Sequence, residues 1–250
     1  MACLICGEER TIDAHLIPRA FAVEIQASPG EKHVLTSPRG SGFKTTNTGR
    51  YDRNILCGKC DGILGKHEGY AFSLLTKARA QHTPPGRLLA VDPLDGDGLV
   101  RFAAGIAWKY AVTKPEFGRI SVGPYESVLA DVAFERTDVP QAVDVSAFQL
   151  QAGDSEAYFY RMPLLDRKEG VNLVRFSVGG FVFILKVDRR PNPSMPPAEC
   201  WLRGKTAGAF MIAPAHLFEE WNLHAESYQT SGATRFFTNM RNRKATARAL

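Results

Sequence analysis

Four of the five cysteines stand as two Cys-x-x-Cys pairs, Cys3-Leu4-Ile5-Cys6 and Cys57-Gly58-Lys59-Cys60. A thiolate is a soft ligand, and four of them close a tetrahedral structural zinc site. The two-residue spacer lets both sulfurs of a pair face one ion. Residues 7–56 separate the pairs, a longer insertion than in simple zinc ribbons, which such sites accept when two knuckles meet in space. Disulfides fit poorly with a chain that opens without an export signal. A thioredoxin-type redox motif needs one such pair in a βαβ setting, not two. Zn2+ is therefore the expected structural cofactor. Cys200, within Ala198-Glu199-Cys200-Trp201-Leu202, reads as a small core residue rather than a nucleophile.

Between the pairs sits His15, inside Asp13-Ala14-His15-Leu16-Ile17-Pro18-Arg19; directly after the second pair come Asp61, His67 and Glu68. An ion gripping both knuckles would bring His15 and Asp61 together across the sequence. A histidine beside an oxygen ligand for a hard divalent cation suits phosphodiester hydrolysis. The imidazole deprotonates a water, and the cation polarises the phosphate and stabilises the leaving oxygen. Mg2+ or Mn2+ suits carboxylate ligands, whereas Zn2+ or Ni2+ suits a site to which His67 contributes. Taken singly, His15 can be a structural histidine and Asp61 a helix N-cap. Their combination at this spacing favours the site.

The order Cys-x-x-Cys, His15-x-x-Pro18, Leu56-Cys57-x-x-Cys60 and then Asp61 resembles the zinc-containing HNH endonucleases. Asp13 to Pro18, Ile55 to Asp61 and Leu64 to Glu68 are similar to an HNH-like subgroup of bacterial proteins, found in defence or mobile-element systems. Phe102 to Lys109, ending in Ala107-Trp108-Lys109, resembles the helix after that module. The likeness covers about the first 110 residues. It implies a ββα-metal fold related to the treble clef, with His15 as general base and Asp61 as ligand of a second, catalytic metal. The family's acid immediately before the base is replaced here by Ala14. Asp13, one residue further back, shares a face with His15 if the segment is a strand. Where the family places its middle asparagine stands Asp52, with Asn54 nearer the knuckle. Asp61 and Glu68 lie two helical turns apart, about 10.5 Å along the axis. Glu68 is thus expected to hold His15 or a ligand in place rather than to share the ion. His67, on another face, is expected to be exposed.

The elements that must position these groups follow from pattern. Pro18 disfavours helix through Ile17. Residues 28–50, rich in Gly, Ser, Thr and Pro, predict a long exposed loop or loose hairpin. Asp61 to Lys77 predicts a helix, with Ile63, Leu64, Ala71, Leu74 and Leu75 apolar and Gly62, Gly65 and Gly69 weakening it. Residues 82–98 carry Pro84-Pro85-Gly86 and Asp92-Pro93-Leu94-Asp95-Gly96-Asp97-Gly98 and read as a linker. It would divide a zinc-containing HNH-like module (1–82) from an α+β C-terminal domain (99–250). Leu99–Val112, Tyr125–Phe134 and Pro214–Leu223 predict helices. Gln149–Met162, Val171–Ser177, Phe181–Val187 and Ala209–Ile212 predict strands, with a hairpin at Val178-Gly179-Gly180. The fold class is α+β: an N-terminal zinc-bound ββα-metal (treble-clef-like) module, then helices and an antiparallel sheet.

Hydrophobic residues are 44% and charged residues 23% of the 250, ordinary for a soluble globular protein. No run approaches the roughly 18 apolar residues of a membrane helix, so no membrane partner is expected and the cytoplasm is the expected location. The net charge of +5 favours a polyanionic partner. Lys32, Arg39, Lys44, Arg50 and Arg53 cluster before the second knuckle, and Arg235, Arg241, Arg243, Lys244 and Arg248 near the C-terminus. Arg19, Lys44, Arg50 and Arg53 are the candidate phosphate contacts, since neutralised phosphates supply most non-specific nucleic-acid affinity. Two functions are carried forward. The first is a metal-dependent HNH-like endonuclease acting on nucleic acid, DNA in the first place, with the C-terminal part positioning DNA or a protein partner. The second is a non-catalytic zinc-binding adaptor for nucleic acid or protein, which Ala14 favours. Residues 99–250 show no nucleotide loop, nucleophile elbow or paired carboxylates that would signal a separate activity.

Overall fold

A computed structural model describes residues 2–25, 33–36, 43–46, 48–81, 83–152, 155–156 and 159–228. The basic residues between Arg235 and Arg248 and the loop residues Lys32 and Arg39 lie outside the described residues. In chain order the elements are β1 (Ala14–His15), α1 (Arg19–Glu24), β2 (His33–Thr36), β3 (Phe43–Thr46), β4 (Tyr51–Asp52), α2 (Gly58–Arg79), β5 (Leu88–Val91), α3 (Gly96–Val112), α4 (Tyr125–Ala133), β6 (Val143–Ala152), β7 (Ser155–Glu156), β8 (Arg161–Lys168), β9 (Val171–Val178), β10 (Phe181–Val187), β11 (Gly208–Pro214) and α5 (Glu219–Tyr228). The class is mixed α+β.

Before α2, β1 and β4 form a two-stranded antiparallel pair, Ala14 opposite Asp52 and His15 opposite Tyr51. Inserted between them, β2 and β3 make a separate antiparallel hairpin, the looser of the two forms expected for residues 28–50. The second half is a seven-stranded sheet in the order β5-β11-β6-β10-β9-β8, with β7 on β6. The expectation of an antiparallel sheet needs correction at one ladder, because β11 runs parallel to β6. The chain leaves β10, returns across the sheet through residues 188–207 and lands on the far side of β6, so β11 runs alongside β6. Gly179 and Gly180 turn β9 into β10 with φ of 57° and 79°, the two positive values of a tight hairpin turn that glycine adopts without steric cost.

The expected linker is also corrected. Leu88–Val91 is an edge strand paired with β11, with Leu89 and Val91 buried between exposed neighbours. The Pro- and Gly-rich flanks are its turns. One hydrophobic core runs from Cys3 and Phe21 through α2 and α3 to Val145, Phe176, Phe183 and Ile212 in the sheet. Arg79, at the end of α2, ties the two halves further. It pairs with Glu24 of α1 and donates to the Gly179 carbonyl at 2.7 Å.

Helix α3 is the centre of this arrangement. Asp95 caps it, Oδ1 accepting from the Gly98 amide at 2.7 Å, and it is buried on nearly every side, as a helix apolar all round must be. One side meets α2, where Gly105 lets Leu64 approach. Another meets the sheet, where the Phe102 ring packs edge-on to Phe176 and Phe183. A smaller cluster of Phe148, Leu150, Val182, Ile184 and Trp201 lies on the other face of the sheet, beneath Phe218 and Trp221.

The tightest approach is at the start of α3, where a Cβ on Gly96 would lie 1.8 Å from the Leu202 main-chain oxygen. Gly96→Ala is expected to lose about 3 kcal/mol, the upper end for overpacking. Gly65→Ala, in open space on α2, is expected to gain roughly 0.5–1 kcal/mol. Urea denaturation of the two variants beside the parent checks both signs.

Candidate metal centre and catalytic site

The sulfurs of Cys3, Cys6, Cys57 and Cys60 all lie within 4.8 Å of one another, with Cys6 and Cys57 at 3.6 Å. Zinc–sulfur bonds of about 2.3 Å at tetrahedral angles place sulfurs about 3.8 Å apart, so the quartet has the size and donor set of a structural zinc site. All four are free thiols. The first knuckle is shaped by its own turn, with the Gly7 amide bonded to the Cys3 carbonyl at 2.9 Å and the Cys3 amide to the Glu8 carbonyl at 2.7 Å. The Leu4 amide bonds the Ile55 carbonyl, which lashes the knuckle to the segment entering the second pair. Cys57 is the N-cap of α2 and Cys60 lies in its first turn. Burial raises the Cys3 thiol, but hydrogen bonds from the backbone at Cys57, Cys6 and Ile5 outweigh it and bring it to about 7. Burial, reinforced by the neighbouring sulfurs, pushes Cys60 upward. A soft dication resolves this competition by taking all four as thiolates. Cys200 is fully buried, and burial pushes its thiol up to about 11, as fits a core residue.

His15 is half-buried on β1 beside the Tyr51 ring, centroids 5.8 Å apart. Its Nε2 is shielded from solvent and has no hydrogen-bond partner among the described residues. Burial lowers its proton affinity, and the Lys109 and Arg19 charges lower it further, against Glu68 and Asp13. Asp61 stands in the first turn of α2, where the helix dipole favours an acid. It is not the N-cap, a place taken by Cys57. Burial raises its carboxyl; Lys109 opposes and Glu68 adds to the rise. Lys109 is thus a charge that acts on both His15 and Asp61.

Sequence reasoning did not single out Lys109 as a site residue. Its side chain is 1% exposed, and Nζ donates to the His15 carbonyl at 2.6 Å and to Glu68 Oε1 at 2.9 Å. A buried lysine inside an apolar helix, a position polarity alone makes unusual, was the available signal. Asp52 is equally structural: its buried carboxylate accepts from the Asn54 amide at 2.9 Å and the Thr113 hydroxyl at 2.7 Å. Asn54 is half-buried in the turn that follows β4. The expectation of an exposed His67 is overturned. It is buried on α2 with Nε2 3.1 Å from Glu135 Oε1, because the turn that follows α4 brings Glu135 against that face.

Asp13 is exposed and held by Arg53, Nε to Oδ1 at 2.7 Å. Arg53 also lies over the Tyr51 ring. Arg50 donates to the Glu116 carbonyl and covers Phe117. Arg19 is exposed at the start of α1. Lys44 pairs with Leu35 in the β2–β3 hairpin, and its side chain lies outside what is described. Among the described residues the cysteine quartet is the one cluster of three or more metal-ligating groups. No family model, curated protein or solved structure matches the chain. No described helix is long and apolar enough to cross a membrane.

Metal analysis of the purified protein is expected to find one zinc per chain. Cys57→Ser is expected to lose the ion and unfold at lower temperature; zinc content unchanged in Cys57→Ser and Cys60→Ser would rule the quartet out. Burial holds His67 below its ordinary value of 6.5, against the pull of Glu135. The unfolded chain therefore binds the proton first, and stability is lost as pH falls below 6.5 toward the lower folded value. His67→Gln is expected to flatten part of that slope in urea midpoints measured on both sides of pH 6.5.

Proposed function

We propose that this protein is a metal-dependent HNH-like endonuclease that hydrolyses phosphodiester bonds in nucleic acid, DNA in the first place. The observation that carries the reading is the His15 imidazole. Burial and Lys109 lower its proton affinity, its Nε2 has no hydrogen-bond partner among the described residues, and it sits on the strand between the two knuckles of a zinc-sized thiol cluster. A neutral imidazole is what a general base requires. The succession of two short antiparallel strands and a helix that starts at the second cysteine pair supports a ββα-metal, treble-clef-like module.

In this mechanism the His15 imidazole takes the proton of the attacking water. Asp61, with Asp13 or Asn54 helping, would hold a catalytic Mg2+ or Mn2+; bound there, the ion would polarise the phosphate and stabilise the leaving oxygen. Such ions need only one or two carboxylates, with waters and substrate phosphate completing the shell. Asp13 would have to leave Arg53 to join it. Arg19, Arg50, Arg53 and Lys44 supply the phosphate contacts. Glu68 acts through Lys109 rather than on the ion.

A second reading, a zinc-binding adaptor without catalysis, is favoured by one specific contact. Asp13 is engaged by Arg53, and Ala14 stands where an acidic ligand would be. Plasmid nicking separates the two readings. Zinc-loaded wild type is expected to nick DNA with Mg2+, Mn2+ or Ni2+ added, and His15→Ala to lose the activity at equal zinc content. A folded, zinc-loaded wild type that cuts neither DNA nor RNA would establish the adaptor in its place.

A further inference from the structure

We propose that Lys109 is the positioning residue of His15, an ammonium on the core helix that grips the strand carrying the imidazole. The β1–β4 ladder is two residues long, too short to hold a side chain in one place by strand pairing alone. Its outside support comes from one face of α3. Lys109 Nζ donates to the His15 carbonyl at 2.6 Å, and four residues on, the Thr113 hydroxyl donates to Asp52 on β4 at 2.7 Å. Residues four apart share a helix face, so α3 holds both strands of the pair at once. Glu68 completes the grip from α2, 2.9 Å from the same ammonium, and α2 begins at the cysteine pair.

Fold stability alone does not account for this lysine. Taking an ammonium out of water is costly, and apolar side chains of similar volume in place of a buried ion pair are often neutral or stabilising. Around Lys109 the helix is otherwise apolar, with Ile106, Ala107, Trp108, Tyr110 and Ala111 all buried. What a polar anchor supplies, and an apolar one cannot, is a directional bond to one carbonyl. That bond fixes where β1 sits relative to the start of α2, and hence where the imidazole sits relative to Asp61. Other buried charged groups among the described residues fasten other parts of the fold: Arg79 with Glu24 joins α2 to α1. Arg175 with Glu220 fastens α5 to the sheet, and Asp144 with Asn192 and the Arg203 amide fastens the 188–207 return.

The test is made on the zinc-loaded full chain labelled with nitrogen-15 at histidine, the His15 ring signals being assigned by their loss in His15→Ala. Lys109→Met combined with Glu68→Leu removes the grip without stranding a buried carboxylate. Zinc content and melting temperature are expected to stay near those of wild type, while the His15 ring signals move to the averaged position of a mobile histidine. Glu68→Gln, which leaves the core filled, is the milder second variant and is expected to broaden the same signals. Its result decides alone if the double variant does not fold. His15 ring signals unchanged in the folded variants overturn the proposal. The activity measurement rests on the reading of His15 as the base. There kcat is expected to fall about 100-fold at unchanged KM for DNA, the scale of a misplacement near 1 Å. If wild type cuts nothing, the nuclease reading fails, and the ring signals still decide whether Lys109 places His15.

Discussion

The sulfurs of Cys3, Cys6, Cys57 and Cys60 can approach within 4.8 Å only if the chain from residue 7 to residue 56 closes on itself, and the N-terminal arrangement depends on that closure. It sets the Leu4 amide against the Ile55 carbonyl and the Ile12 amide against the Leu56 carbonyl. From there β1 runs into register with β4. Closing a long loop costs chain entropy that grows only slowly with length, so one ion with four thiolates can hold an insertion as large as the β2–β3 hairpin. The same closure makes Cys57 the cap of α2, and with it places Asp61, Glu68 and His67 at fixed intervals along that helix.

A zinc-sized cluster alone would leave the site side chains loosely held, because it grips the knuckles and not the strands between them. The second support is α3. Its apolar sides are committed to α2, α4 and the sheet, which leaves Lys109 and Thr113 to bond β1 and β4. Sites carried on rigid elements are placed more accurately than sites on loops, and here the rigid element is anchored in a seven-stranded sheet. The C-terminal sheet thus bears on the candidate site indirectly, through the helix that bonds the two strands.

The surface around His15 combines cations with rings. Arg53 covers Tyr51, and Arg50 and Lys114 flank Phe117. Guanidinium groups stacked on rings keep donors free for phosphate oxygens while their flat faces stay packed. Arg53 holds Asp13 as well, so a phosphate arriving at Arg53 competes with that carboxylate. Substrate contact and the freeing of Asp13 are electrostatically linked in the proposed mechanism.

Some of this was legible in the residues themselves. Two Cys-x-x-Cys pairs specify a thiol quartet because donor type and local spacing are properties of sequence. The apolar period of α2, the turn glycines at 179 and 180 and the β-branched runs of β9 and β10 are local in the same way. The parallel placement of β11, the conversion of an apparent linker into β5, the burial of His67 and the identity of Lys109 were not. Each depends on which distant segment lies alongside: Glu135 beside His67, β11 beside Leu88–Val91, and the carbonyl of His15 against the end of α3. A main-chain carbonyl carries no sequence signature, so a lysine bonded to one looks like any other charged residue in a pattern. The sequence by itself determined the thiol quartet and elements such as α2, β9 and β10, since these follow from short-range chemistry. The tertiary structure alone decided which charge faces the imidazole, because burial and long-range hydrogen bonds exist only once the chain has folded.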